Sequence, residues 1–554
     1  MFFRDFKMRN KLAFIITLLV YYSSYSADFG QINGNISIEA QTYSKDSLIN
    51  APDAPEKILS NSWMNLYYRL NQFEFGLRFE AFLNPIYGID PRYKGTGIAY
   101  KNITYKGNDI EISAGNFYEQ FGNGLILRSY YDPQLGIDNS IEGAKFLIKP
   151  FEGIAVKGLI GTARKYWTQS SAILRAGDID ISLTNILKDS WKNDYNVNLG
   201  FSFVSKYEED NNPTLKVPLN EFSYAIRLGA FLDRFQIQTE AAFVNNHPTN
   251  LNQFSYNQGN AFMANITYLG DGYGAAFLFH RIDNFDLRIE RNARGTSLTQ
   301  NYIPSITKQH LFSKYSILPY STQLNGEIGF QFDFNYFIPE NTFLGGKYGG
   351  NLSLNFSQVN SIRKNLIDKY TYDAPFFEIG DTLLFRDINI EYTTHLWSDI
   401  ESILRYAYIT NNKDILFFSG APYYGKVYAH FLAFENSVNL SNDYGLHIKF
   451  EHMWQTQDST LKVDDTENGN WFSGLAELTI KSKLLISGLF DYNYGNKKEE
   501  LKIVYYNFNI AYLMGGTRIS VSYGRNAGGI LCVGGVCRAV PATNGFFLSL
   551  TSSF

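Results

Sequence analysis

The stretch 115–143, GNFYEQFGNGLILRSYYDPQLGIDNSIEG, gathers residue types that do more than fill a fold. Gly122 and Gly124 let the backbone turn sharply. The apolar triplet Leu125-Ile126-Leu127 follows, then Arg128, with Glu119 upstream and Asp138 downstream. Such a segment could fold into a lumen with its charges paired, as a constriction or plug loop in which Glu119, Arg128 and Asp138 set a local field. The plainer alternative is that these charges only anchor the loop to a wall, as half-buried ion pairs more often do.

Cys532 and Cys537 are the only cysteines, in Cys-Val-Gly-Gly-Val-Cys. In an exported chain such a pair closes a small disulfide ring that stiffens its loop. Zinc would need further ligands, and no histidine lies near in sequence. The seven histidines are scattered, without an HExxH motif. His447 and His452 are five apart and would face opposite sides of one strand. His452 shares an outward face with Phe450 and Trp454, an interfacial setting. No nucleophile-elbow motif is present. Gly345-Gly346-Lys347 lacks the first glycine and the Ser/Thr of a phosphate-binding loop. The chain reads as a non-enzyme with no cofactor and no metal site.

The elements that would position these residues are strands. At the end of the chain, in NGFFLSLTSSF (544–554), Phe546, Leu548 and Leu550 alternate with Phe547, Ser549, Thr551 and Ser553. Phe554 returns to the Phe546 face. A period of two over ten residues makes a strand with one apolar side, and ten tilted residues cross the apolar part of a bilayer. A terminal aromatic resembles the closing strand that outer-membrane assembly machinery recognises, which makes Phe554 a candidate assembly signal. The competing reading is the last strand of a soluble sandwich.

The pattern recurs. Ile32, Ile36, Ile38 and Ala40 oppose Asn33, Asn35, Ser37 and Glu39; Phe73, Phe75, Leu77, Phe79 and Ala81 oppose Glu74, Arg78 and Glu80; Ile328, Phe330, Phe332, Phe334 and Tyr336 alternate with Glu327, Gln331, Asp333 and Asn335. Segments 171–183 and 273–282 alternate poorly. Short connections hold the Gly, Asn and Asp of tight hairpins: Asn71-Gln72, Leu232-Asp233-Arg234, Gly270-Asp271-Gly272, Trp397-Ser398-Asp399, Ser441-Asn442-Asp443 and Met514-Gly515-Gly516. Long ones lie between them, at 44–60, 84–95, 119–139, 206–218, 283–322, 358–383, 411–425 and 524–543. A sandwich has no reason to sort its loops this way; a membrane barrel does.

The expectation is therefore an all-β fold, a transmembrane antiparallel up-and-down β-barrel of about 24 strands (range 20–26), with long extracellular loops and short periplasmic turns. So wide a lumen exceeds what wall side chains can fill, and the long loops are the candidates to narrow it. Tyr67-Tyr68, Tyr130-Tyr131 and Tyr423-Tyr424 fall near strand ends, where an aromatic girdle would sit.

Bulk properties agree. The 554 residues are 16% aromatic and 18% charged. The mean hydropathy is only −0.21, because alternating strands hide their apolar face from such averages. Arg4, Lys7, Arg9 and Lys11 precede the apolar run Leu12 to Tyr22 and the small residues up to Ala27, which reads as a signal peptide over 1–27. The rest, 28–554, reads as one barrel domain. The formal net charge is −4; subtracting the +3 of residues 1–27 leaves −7, no basis for nucleic-acid binding. The first strand begins close behind the leader. We therefore expect neither the plug domain of a TonB-dependent transporter nor a peptidoglycan-binding module.

The strings PEKILSNSWMNLYY (55–68), LNPIYGIDPRYKGTGIAY (83–100), GNFYEQFGNGLILRSYYDPQLGIDN (115–139) and ILCVGGVCRAVPATNGFFLSLTSSF (530–554) resemble an uncharacterised family of Bacteroidota outer-membrane β-barrel proteins. The resemblance implies the bacterial outer membrane and a Gram-negative host, and carries no substrate or site residues.

Two functions remain. One is a passive or gated pore for small solutes, from a wide barrel with polar lumen faces. The other is a non-enzymatic barrel subunit of a surface secretion or gliding machine, or an adhesin, with an occluded lumen. The partners expected are outer-membrane lipid, the barrel assembly machinery acting on the C-terminal strand, and, for the second function, a surface complex.

Overall fold

The computed structural model describes residues 30–54, 56–188, 195–209, 214–418, 425–458, 467–533 and 536–554. The leader expected over 1–27 and the pair Tyr423-Tyr424 lie outside them.

Twenty-four strands form one antiparallel sheet, each paired with its neighbours in the chain. The first, Gln31–Thr42, pairs with Ile58–Leu70 on one side and with the last, Thr543–Ser553, on the other. The register of this closing seam runs from Asn35 opposite Ser553 to Gln41 opposite Phe547. Closure follows from the solvent: hydrocarbon offers no hydrogen bonds to an open sheet edge. No helix among the described residues is long and apolar enough to cross a membrane.

Alternation sorts the two faces of the wall. Phe73, Phe75, Leu77 and Phe79 are exposed on the outside, as are Phe277, Phe332, Phe450, Ile510 and Phe546. A belt of exposed apolar side chains on a closed wall is a lipid-facing surface; the molecule is an outer-membrane barrel. His452 faces outward as expected, its ring 4.0 Å from that of Trp454 and its Nε2 2.7 Å from the Tyr494 hydroxyl.

All six short connections are tight turns on one side of the barrel. Two others on that side are longer, 183–195 and 339–349, and one connection on the opposite side, 166–167, is a two-residue turn. Loop side and turn side are therefore sorted, with three exceptions. The loop side also carries long connections at 245–258, 458–470 and 493–503.

The inner wall divides by height. Toward the turns it is polar: Asn65 Nδ2 donates to Asn35 Oδ1 at 2.8 Å, and Ser353 Oγ to Asn335 Oδ1 at 2.6 Å. Toward the loops it combines small apolar residues, with Ala163, Ala172, Ala225, Ala242, Ala407 and Ala429 fully buried, and buried charges such as Glu240, Glu327 and Asp491. This explains the two poorly alternating segments. They are strands, Thr168–Ser182 and Tyr273–Asp283, but their inward positions include Leu174, Ala176 and Ile282, buried under material inside the bore. Both faces are then apolar, and the period-two signal fades.

At the turn end of the seam, Gly34 and Phe554 exchange backbone hydrogen bonds of 2.9 and 3.0 Å. A Cβ on Gly34 would lie 2.6 Å from the Phe554 ring and 2.7 Å from the Asn65 carbonyl oxygen. Gly34→Val is therefore expected to destabilise the closed barrel by about 1–3 kcal/mol, read as a lower temperature for loss of the compact, heat-modifiable gel band. An unchanged transition would show that the ring and strand move aside freely.

A lumenal plug as the candidate functional site

The loop-side bore is filled by two chain segments, 118–140 and 284–326. Each is positioned by a hydrophobic cluster and pinned by ion pairs to the inner wall.

In the first segment, Leu125, Ile126 and Leu127 are buried completely or nearly so. They pack with Phe117, Phe121 and wall residues such as Ala163, Leu174 and Ala242. Burying each such side chain is worth about 2 kcal/mol, which explains why the triplet turns inward. Asn123 donates from its backbone and side-chain nitrogens to Glu240 Oε2, both at 2.8 Å.

The three charges singled out in this loop find partners elsewhere rather than pairing with each other. Glu119 is bound by the wall lysines Lys145 (2.9 Å) and Lys157 (3.4 Å). Asp138 joins a buried quartet with Arg78, Glu80 and Arg164, all with side chains at most 4% exposed. Within it Arg164 reaches Asp138 at 2.5 Å and Glu80 at 2.7 Å, and Arg78 pairs with both acids. Tyr118 donates to Asp138 at 2.9 Å; burial, with the neighbouring Asp138 charge, pushes its hydroxyl well above the usual tyrosine value. Arg128 contacts neither acid. Its guanidinium lies 3.8 Å from the ring centroid of Tyr302 and 4.8 Å from that of Tyr130. The expected ion pair gives way to cation–π stacking between the two plug segments. Tyr130 and Tyr131 accordingly line the plug rather than a girdle, with the Arg78 guanidinium 4.0 Å from the Tyr131 ring centroid.

The second segment spans the bore. Lys206 Nζ donates to the Arg288 carbonyl at 2.8 Å, and Arg291 Nε meets Glu221 at 3.2 Å. His310 Nε2 lies 2.5 Å from Asp387, Ser313 N and Oγ donate to Glu451 at 2.7 and 2.6 Å, and Lys314 Nζ meets Asp491 at 2.6 Å. Glu221 sits on the tenth strand and Asp491 on the twenty-first of twenty-four, nearly half a circumference apart. Phe312, Ile317, Leu318 and Tyr320 pack in a second cluster against Phe385, Ile409, Phe431 and Trp471.

Backbone and amide bonds join the two segments: Arg128 N to Gln300 O (2.8 Å), Gln300 Nε2 to Ile126 O (3.0 Å), Tyr302 N to Gly124 O (3.0 Å) and Asn139 Nδ2 to Thr299 O (2.7 Å). In the last loop, strands Gly529–Val533 and Val536–Val540 set Cys532 opposite Cys537; the side chain of Cys532 lies outside the described residues. Cys537 Sγ is 3.8 Å from the Tyr320 carbonyl oxygen, so this hairpin reaches the plug.

Among the described residues no group of His, Cys, Asp and Glu side chains is placed to hold a metal ion. The contacts that sequence reasoning missed are the wall partners Glu240, Asp387, Glu451 and Asp491. Their one signal is an acid at an inward register position of a strand.

Two outcomes follow from this geometry. Arg164→Met leaves Glu80 and Asp138 to share Arg78, an uncompensated buried charge costing about 3–5 kcal/mol; denaturant unfolding should show it, with Arg164→Lys closer to wild type. His247, itself buried in the connection 245–258, has its imidazole pushed below the usual histidine value by that burial. The unfolded chain therefore binds a proton more readily, and stability falls as pH drops below about 6.5. Amide protection factors in 245–258, corrected for the pH dependence of intrinsic exchange, should fall on acidification, and His247→Phe should abolish that dependence.

The chain resembles several solved barrels at low identity. The translocation pore of the P pilus usher PapC shares 8% identity over 94% of this chain and 99% of its own, at a TM-score of 0.40. The siderophore receptor PirA from Pseudomonas aeruginosa shares 8% over 96% and 81%, at 0.39. The copper transporter OprC shares 7% over 96% and 84%, also at 0.39. Likenesses this distant carry nothing about cargo or partners. No curated protein matches the chain. The model of a family of unknown function, DUF6029, matches residues 8–554, and the chain belongs to that family.

Proposed function

We propose that the protein is a gated outer-membrane channel for small solutes whose resting bore is closed by its own loops. The observation that carries this reading is the path of 284–326 from Glu221 to Asp491 across the lumen. A passive, permanently open pore is disfavoured by that path. Gating is favoured by how the segment is held: much of its grip on the wall is ionic and hydrogen-bonded, and buried ion pairs add less net stability than apolar packing of equal volume. Water entering a loosened plug can solvate each charge in turn, so release costs less than extracting a purely apolar stopper.

The second reading, a barrel subunit of a surface machine with a permanently occluded lumen, draws on the same filled bore. We assign Cys532 and Cys537 to a disulfide that stiffens the hairpin beside Tyr320, and Phe554 to recognition by the assembly machinery. Glu119 and Asp138 serve to anchor the closed loop, and Arg128 to couple it to the second segment.

Planar bilayers test the choice. Wild-type protein should be silent, and replacing 290–322 by a Gly-Ser linker should yield steady conductance. Steady current through wild type would overturn the closed state. A folded but silent deletion variant would favour the occluded subunit.

A further inference from the structure

A pocket of about 250 Å³ lies inside the barrel, between the plug turn Ser313–Ile317, the wall and the base of the last hairpin. Lys314, Trp471, Asp491, Tyr505, Ser316 and Gly529 are among its lining residues. Three observations mark it as more than a packing gap. First, the Lys314 ammonium meets Asp491 Oδ2 at 2.6 Å and lies 4.8 Å from the Trp471 ring centroid. A carboxylate and an indole face together are the elements of an ammonium receptor. Second, the Asp491 side chain is 8% exposed, yet its other oxygen, Oδ1, has no hydrogen-bond partner among the described residues. A carboxylate oxygen buried beside a cavity without a donor is costly, and a ligand with spare N–H groups would satisfy it. Third, Tyr505 stacks on Trp471 at 5.7 Å and 24°, so the indole is held in place before any ligand arrives.

From these we infer that the pocket is a binding site for a small primary ammonium ion, occupied in the closed state by Lys314 acting as the protein's own ligand. A primary ammonium is specified because Asp491 Oδ1 needs an N–H donor, which a quaternary ammonium lacks. The cavity is large enough for a short diamine. The incoming cation takes the place of Lys314 on Asp491 and Trp471, and the turn Ser313–Ile317 loses that anchor. Binding stands on this pocket alone; only its consequence for opening rests on the gated reading above.

Calorimetric titration of cadaverine into the purified full-length barrel tests the site. Removing the internal competitor with Lys314→Ala should tighten binding at least tenfold over wild type. Adding Asp491→Asn to that variant should abolish it, and tetramethylammonium should bind the Lys314→Ala protein at least tenfold more weakly than cadaverine. Heat-modifiable gel mobility confirms that each variant is folded; if Lys314→Ala is not, Lys314→Gln replaces it with the same expectation. Equal cadaverine affinity in wild type and variant, or retained binding without Asp491, would overturn the inference. Conductance is read separately: cadaverine binding without current keeps the site and removes the gate, whereas a conducting linker variant with no cadaverine binding in Lys314→Ala keeps the gate and removes the site.

Discussion

A ring of twenty-four strands encloses more space than its own side chains can fill, and that geometric surplus governs the rest of the structure. The chain resolves it by folding two loop-side connections inward. Once they are there, the inner wall beneath them must be small and apolar, and the charges that remain must find partners. Inward alanines at 172, 225, 242, 407 and 429 provide the space. The quartet of Arg78, Glu80, Asp138 and Arg164 provides the compensation, each charge meeting an opposite one at hydrogen-bond range. Below the plug the constraint lifts, and the wall returns to asparagine, serine and glutamate.

This division accounts for what could be read from the sequence. The terminal strand, the pairs Phe73/Glu74 through Phe79/Glu80, and the six tight turns follow a local rule, one face apolar toward lipid and one polar toward the interior, and local rules leave local patterns. Where the inner face meets the plug, as at Leu174 and Ile282, that rule is broken by residues far away in sequence, and the pattern fails there. The inward turn of Leu125-Ile126-Leu127 was legible because three consecutive large apolar residues have no place in an exposed loop. The partner of Arg128 was not: Tyr302 lies 174 positions further on, and nothing near Arg128 distinguishes a stacking ring from a carboxylate. The crossing by 284–326 was visible only as length.

The plug is also unlike a separate domain inserted in a barrel. Its segments leave from and return to adjacent strands, so each end is fixed by the wall itself while the middle is held by side chains. Glu240, Glu451 and Asp491 each accept from a plug donor. Closure of the bore and integrity of the wall are thus coupled through the same acids, whose burial without those donors would be costly.

The bond between Lys314 and Asp491 joins residues 177 positions apart, and this has a consequence for how the chain matures. Ring formation waits on the last hairpin, because the first strand pairs with the final one. The far anchor of the central segment is supplied only by the twenty-first strand, late in the same process. An N-to-C order of strand addition therefore provides the wall partners of 118–140 early, among them Arg78, Lys145 and Arg164, and the far anchor of 284–326 late. Contacts of such long loop length form slowly, so the far end of the central segment is the late-forming part of the interior.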